Sequence, residues 1–339
     1  MNAFVAVLAF LTLPFSFTLL FPFNSNIFGD DRQEAQIESS EGEIKGAERE
    51  KNEAFVGENT FPVVFKPTKI ENSANIALPN AHSAIILDVN SETILYNQNG
   101  FERRQIASLT KMMTAVLAME NIKNLDEEVK VDEDAVYVEG TKIGCPRSGY
   151  CIGQRLKVGE RVKAHDLMKA MLMNSANDAA VALAKHISGT EEEFVSLMNK
   201  KAKELNLNNS NFCTASGLET SGKESDCYSS AYDIARVSAY AMKYPLIWDI
   251  MRLPSNIKIT SVDGACSHDI LNTDLVLNEI PNCIGGKTGF TPLAGRSLLL
   301  AASDETSKHK VIAVLLDDPY RWQDIRTMID WTFRSHEWK

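Results

Sequence analysis

Residues Met1 to Phe23 contain no charged side chain. That absence removes the basic region with which a signal peptide begins, and no A-x-A pattern closes the run as a cleavage site would. The run is just long enough to span a bilayer. A membrane anchor is therefore expected over residues 1–23 in preference to a cleaved signal peptide, and the missing basic flanks leave its orientation unspecified. CxxC and HExxH patterns are also absent, which argues against bound zinc, and no metal or cofactor is expected. No internal repeat is evident. Positive charge is in deficit, with 35 Lys and Arg against 45 Asp and Glu and a net charge of -10. That balance argues against a nucleic-acid partner.

The remaining 316 residues, 339 less 23, divide by composition. From Asn24 to about Asn80 the chain is rich in Glu, Asn, Ser, Gly and Lys and includes the charged run Glu48-Arg49-Glu50-Lys51. Such a segment cannot bury enough apolar surface to offset its ordering entropy, so residues 24–80 are expected to form an acidic flexible tether. From Ala81 regular patterns take over, and residues 81–339 are expected to be one catalytic domain. Two β-rich runs between Ala84 and Tyr96 flank Asn90-Ser91-Glu92 as in a hairpin. Helical spacing covers His165 to Met173, Asp178 to Ile187, Glu191 to Leu205 and Trp322 to Phe333, while Ser297 to Ala302 and Val311 to Leu316 have strand length. Strands at both ends with helices between them predict an α+β domain whose sheet joins the two ends of the sequence. All six cysteines follow the tether and come in sequence-local pairs. Disulfides are favoured in an exported domain, above all Cys145 with Cys151, because Pro146, Ser148 and Gly149 make a turn between them.

Three short motifs carry chemistry. Ser108-Leu109-Thr110-Lys111, Ser175-Ala176-Asn177 and Lys287-Thr288-Gly289 follow in the order SxxK, SxN, KTG of acyl-serine enzymes. Each is weak alone. SxxK recurs at Ser255 and Ser307, and Ser-Ala-Asn recurs at Ser73. Context separates them, since only Ser108 opens a segment with apolar residues at helical spacing (Leu109, Met112, Met113, Val116, Leu117), the pattern of a helix with one buried face. A serine hydroxyl needs a base, and on a helix Lys111 at i+3 can reach Ser108. Burial beside a second cation such as Lys287 would push Lys111 toward the neutral, basic form. In this pattern Ser175 would protonate a leaving amine and Asn177 would hold an acyl donor. Lys287 would meet a substrate carboxylate, and Thr288 and Gly289 would offer strand backbone to an extended peptide.

Longer strings around the motifs extend the pattern: Ala107-Ser108-Leu109-Thr110-Lys111-Met112-Met113-Thr114, Asn174-Ser175-Ala176-Asn177-Asp178-Ala179, Tyr228-Ser229-Ser230-Ala231-Tyr232-Asp233 and Gly286-Lys287-Thr288-Gly289-Phe290-Thr291. From about His82 to Trp331 the chain resembles the serine-type D-alanyl-D-alanine carboxypeptidases, the low-molecular-mass penicillin-binding proteins. The resemblance implies the β-lactamase/transpeptidase-like fold, a five-stranded antiparallel sheet flanked by helices plus a helical subdomain. It also implies acylation of Ser108 by the D-Ala-D-Ala end of peptidoglycan stem peptides, release of D-Ala, and covalent inhibition by β-lactams. The backbone amides of Ser108 and Phe290 would form the oxyanion hole, and Arg321 would stand near the substrate carboxylate. Such an enzyme works outside the cytoplasm, here tethered to the membrane through residues 1–23. Three rivals share features with this reading: a D,D-endopeptidase, a β-lactamase and a silent wall-binding module. Class A β-lactamases deacylate through a glutamate in an ExxLN-type segment, and the nearest match, Ala202-Lys203-Glu204-Leu205-Asn206, has Ala202 in its place. Intact motifs argue against a silent binder.

Overall fold

A computed structural model describes residues 64–146, 150–220 and 222–339. The segment expected to anchor the chain, residues 1–23, and most of the expected tether lie outside the described residues. Along the chain run β1 (Pro67–Lys69), β2 (Ser83–Asp88), β3 (Ile94–Gln98), a 3₁₀ turn (Ala107–Thr110), α1 (Lys111–Asn121), β4 (Glu128–Lys130), α2 (Glu133–Tyr137) and β5 (Arg161–Lys163). Next come α3 (Ala164–Met173), α4 (Asn177–Ser188), α5 (Glu191–Glu204), α6 (Ala231–Ala241), α7 (Pro245–Met251), β6 (Asn256–Thr260) and β7 (Ser267–Leu271). The last are β8 (Cys283–Thr291), β9 (Gly295–Ser303), β10 (Lys310–Leu316), α8 (Arg321–Ser335) and β11 (His336–Trp338).

The main sheet has the order β3-β2-β10-β9-β8, with every neighbour antiparallel. This is the α+β fold expected, and β2 lies beside β10 so that early and late segments share one sheet. Its inner strands read as nearly continuous apolar runs because both faces are covered. Ile85, Leu87, Leu299, Ala301, Ile312 and Val314 enter a core with the helical subdomain. The alternate residues Ala84, Ile86, Leu298, Leu300, Val311 and Ala313 enter a second core with α8. The alternation follows from the two-residue period of a strand.

Two expectations need correction, and a third is borne out for two of its cysteine pairs. Residues 64–80, read from composition as the end of the tether, are folded onto the domain: β1 pairs with β11, Leu78 is buried, and the Trp331 Nε1 donates to the Ala74 carbonyl. Averaged composition hides this, because a few backbone pairs and one buried leucine suffice. Next, α1 has no solvent face from Lys111 through Ala118, all buried, and it contacts α3, α4, α5 and α6; only its last turn reaches the surface. A helix enclosed on all sides shows only a blurred stripe. Finally, Cys145–Cys151 and Cys213–Cys227 are disulfides, but Cys266 and Cys283 are free. Cys266 ends the turn of the β6–β7 hairpin while Cys283 begins an edge strand of another sheet, so nearness in sequence does not bring them together. Among the described residues no helix is long and apolar enough to cross a membrane.

Candidate active site

The nucleophile candidate sits in a turn, not in the helix proper. Ala107–Thr110 is a 3₁₀ turn, and the Lys111 N–H donates to the Ser108 carbonyl as α1 begins. In 3₁₀ geometry side chains at i and i+3 eclipse, which brings Lys111 Nζ to 2.8 Å from Ser108 Oγ. Ala107 holds a left-handed φ of 47° just before the serine, and Ser175 in the second motif has φ 57°. Non-glycine residues enter that region at a cost and cluster at functional sites.

Around Lys111 Nζ the fold places two carbonyl-type acceptors besides the serine, Asn177 Oδ1 at 2.7 Å and the Ser216 carbonyl at 2.7 Å. Lys111 is wholly buried. Burial, and then the charge of Lys287, drive it well below the usual lysine range, with Asp178 opposing. The arrangement decides hydrogen placement. A neutral amine has two N–H bonds and one lone pair, and a carbonyl oxygen only accepts. With both N–H bonds given to Asn177 and Ser216, the lone pair is left facing the Ser108 hydroxyl.

The second motif links α3 to α4. Asn177, expected to contact an acyl donor, has both ends of its carboxamide bound within the protein, Oδ1 to Lys111 and Nδ2 donating to the Glu139 carbonyl at 2.8 Å. Its backbone N–H donates to the Thr141 carbonyl at 2.8 Å, and the Thr141 hydroxyl donates to the Ser175 carbonyl at 2.6 Å. Asn174 Nδ2 donates to the Lys142 carbonyl at 2.8 Å. The segment from Glu139 to Cys145 thus grips the motif from outside. Asp178 completes the grip by accepting the Ile143 N–H. Burial pushes its carboxyl up to about 7, against the pull of the Ile143 and Ala179 N–H groups.

The third motif lies on the edge strand β8. Lys287 Nζ donates to Ser175 Oγ and to the Thr288 carbonyl, each at 2.9 Å. Burial brings this lysine down to about 7, with the Asp274 carboxylate opposing and Arg321 adding to the shift. Thr288 Oγ1 lies 2.7 Å from Thr273 Oγ1, and Phe290 is 62% exposed beside it. At Gly289 an added Cβ would stand 3.0 Å from the Ile106 carbonyl, a tight contact that would push the strand a few tenths of an ångström from the nucleophile turn. Gly217 is tighter still, with a left-handed φ of +83° and a Cβ position 2.0 Å from the Ala107 carbonyl.

Arg321 opens α8 on the opposite face of β8. Its Nη1 donates to the Gly289 carbonyl at 2.9 Å and the Ser297 carbonyl at 3.0 Å, which ties α8 to the β8–β9 pair. The motif residues Ser108, Lys111, Ser175, Asn177 and Lys287 therefore converge, with Thr288, Gly289 and Phe290 along one wall and Arg321 behind it. The decoy copies do not converge: Ser255 and Ser73 lie in loops, and Ser307 is in the turn before β10. Asp178, the Ser216 carbonyl and Asp274 were missed from the sequence. Gly217 was the one signal for the Ser216 loop, and a carboxylate directly after the SxN motif was the signal for Asp178.

A family model for D-alanyl-D-alanine carboxypeptidases, peptidase family S11, matches residues 70–320. The chain belongs to that family. It is 33% identical over 264 residues to the D-alanyl-D-alanine carboxypeptidase DacF of Bacillus subtilis, a match covering 76% of this chain and 63% of the relative. Among solved structures, the D-alanyl-D-alanine carboxypeptidase of Mycobacterium tuberculosis superposes with a TM-score of 0.68 at 26% identity, over 79% of this chain and 96% of that one. Penicillin-binding protein D2 of Listeria monocytogenes, solved in an ampicillin-bound form, gives a TM-score of 0.64 at 29% identity, over 77% of this chain and all (100%) of that one.

Proposed function

We propose that the protein is a serine D-alanyl-D-alanine carboxypeptidase that removes the terminal D-Ala from peptidoglycan stem peptides through an acyl-enzyme on Ser108. The observation that carries this reading is the set of acceptors around Lys111 Nζ, which leaves the lysine lone pair for the Ser108 proton. In acylation Ser108 Oγ attacks the carbonyl carbon of the D-Ala-D-Ala bond while its proton passes to Lys111. The backbone amides of Ser108 and Phe290 are assigned to the oxyanion. As the C–N bond breaks, the Ser175 hydroxyl protonates the leaving nitrogen and is itself resupplied by Lys287 through the 2.9 Å bond between them. Deacylation reverses the roles: the Ser175–Lys287 pair takes a proton from the attacking water, and Lys111 returns its proton to Ser108. Both lysines end as they began.

Asn177 is assigned to aiming Lys111 as well as to the acyl donor. Thr288 and Gly289 are assigned to the peptide backbone and terminal carboxylate, with Lys287 supplying charge and Arg321 supporting them from behind the strand. Two disulfides fit a compartment outside the cytoplasm, with residues 1–23 as the membrane tether and β-lactams as covalent inhibitors. Ala202 is a buried apolar residue of α5 and supplies no carboxylate, which supports slow β-lactam turnover.

The test is exposure to a labelled penicillin. Stable label mapped by mass to Ser108 and lost in Ser108→Ala is expected, together with release of D-Ala from an acyl-D-Ala-D-Ala peptide. Rapid turnover of the label would favour a β-lactamase, and no adduct would favour a binding module.

A further inference from the structure

The Ser216 carbonyl is a backbone group, so no side chain of its own can place it; the loop must. Cys213, three residues before it, is bonded to Cys227. Cys227 is itself well anchored, because Tyr228 and Asn211 exchange backbone hydrogen bonds of 3.0 and 2.8 Å and Ser229 and Arg104 exchange bonds of 2.9 and 2.8 Å. Arg104 leads directly into the nucleophile turn. We infer that the Cys213–Cys227 disulfide is a positioning clamp for Lys111, so that the rate of acylation depends on its oxidation state. The inference rests on the base role proposed for Lys111.

Between the disulfide and Ser216 the loop is held by lighter contacts. The Ala215 N–H donates to Glu191 Oε1 at 2.8 Å, and the Ala215 carbonyl accepts from Thr114 Oγ1 at 2.7 Å. Gly217 is pressed against the Ala107 carbonyl. In this reading these contacts keep the loop folded once the disulfide opens, while the covalent tie, 14 residues apart in sequence, limits how far Cys213 and the carbonyl three residues on can move. If the Ser216 carbonyl drifts, one Lys111 N–H loses its acceptor and the lone pair is no longer confined to Ser108. Both cysteines are half-buried and not enclosed, which leaves the bond open to a small dithiol from the surface. One thiolate of the dithiol attacks either sulfur and the other cysteine leaves as thiolate. The second thiol then displaces the mixed disulfide, leaving two protein thiols and an oxidised cyclic dithiol. The other disulfide closes a different loop, the one whose Glu139 to Cys145 segment grips the SxN motif.

The experiment measures the acylation rate of the full chain by labelled penicillin in dithiothreitol buffers of graded oxidation, with each disulfide followed by alkylation and mass mapping. Near-UV circular dichroism reports folding at the assay temperature. Acylation should fall on the order of tenfold as Cys213–Cys227 opens, the loss of one hydrogen bond to a charged or reacting group, while the dichroism is retained. Reoxidation should restore it, and the loss should lie in the acylation rate constant with little change in non-covalent affinity. Cys213→Ser/Cys227→Ser should be slow from the start and indifferent to dithiothreitol; Cys145→Ser/Cys151→Ser should keep the response. A folded protein with both thiols mapped at Cys213 and Cys227 and an unaltered rate would overturn the clamp, as would a response that disappears only in the Cys145/Cys151 variant. Failure of the underlying serine reading would show earlier, as absence of label on Ser108 in the fully oxidised protein.

Discussion

Gly217→Ala is the sharpest perturbation the geometry offers. Two costs separate at this position. The left-handed φ of +83° penalises any L side chain by about 1–2 kcal/mol. The new methyl would also stand 2.0 Å from the Ala107 carbonyl oxygen, so either the loop or the nucleophile turn must retreat by about an ångström, at a further cost of roughly 1–3 kcal/mol. Gly264→Ala isolates the first cost, since Gly264 has φ +71° with nothing within 4 Å of its Cβ position. Urea unfolding should therefore show about 1–2 kcal/mol lost for Gly264→Ala and about 2–5 kcal/mol for Gly217→Ala. Both lie within the stability of an ordinary domain. Catalysis should part further than stability. The retreat moves the Ser216 carbonyl relative to Ser108, and misplacement of a reacting group by about 1 Å can cost on the order of a hundredfold in rate. Penicillin acylation should fall by about that factor in Gly217→Ala and stay at the wild-type rate in Gly264→Ala. A Gly217→Ala protein that acylates normally and loses no more stability than Gly264→Ala would refute the close-approach argument.

Lys111→Arg should abolish acylation although charge is retained, because arginine does not give up its proton at working pH; a wild-type acylation rate would remove Lys111 from the base role. Arg321→Ala should lower kcat/KM on an acyl-D-Ala-D-Ala peptide and on its C-terminal amide alike, because its bonds to the Gly289 and Ser297 carbonyls hold the strand that both substrates meet. An extra loss of about 1.5–3 kcal/mol on the free acid alone would show instead that Arg321 reads the carboxylate directly. Asp178 links stability to pH: its carboxyl is raised from 3.8 to about 7 in the folded state, so its contribution is full below pH 3.8 and is lost as pH rises through about 7. Asp178→Asn lacks that titration, and its stability relative to wild type should rise by up to about 4 kcal/mol between pH 4 and pH 8. Unfolding measured across that range checks it, and a constant difference would exclude a proton on Asp178.

Much of the protein was legible in one dimension. Strands buried on both faces appear as unbroken apolar runs, so β9 and β10 could be located, and the hairpin of β2 and β3 was signalled by its polar turn. The i, i+3 spacing of Ser108 and Lys111 is local, and so the contact between them could be anticipated. The three motifs could be picked from their decoys by context, because only one copy of SxxK precedes a helix.

What needed the tertiary structure is what depends on partners far apart in sequence. Lys111 meets Asn177 across 66 residues and the Ser216 carbonyl across 105, while Lys287 meets Ser175 across 112. A backbone carbonyl leaves no residue-type signature, so Ser216 could not be read as part of the site. Nor could the two-way commitment of the Asn177 carboxamide, or the turning of Arg321 toward the Gly289 and Ser297 carbonyls. The cysteines make the same point: their number and spacing left the connectivity open, because a disulfide forms only where the fold brings two Cβ atoms within a few ångströms, and Cys266 ends a hairpin turn while Cys283 begins a strand of another sheet.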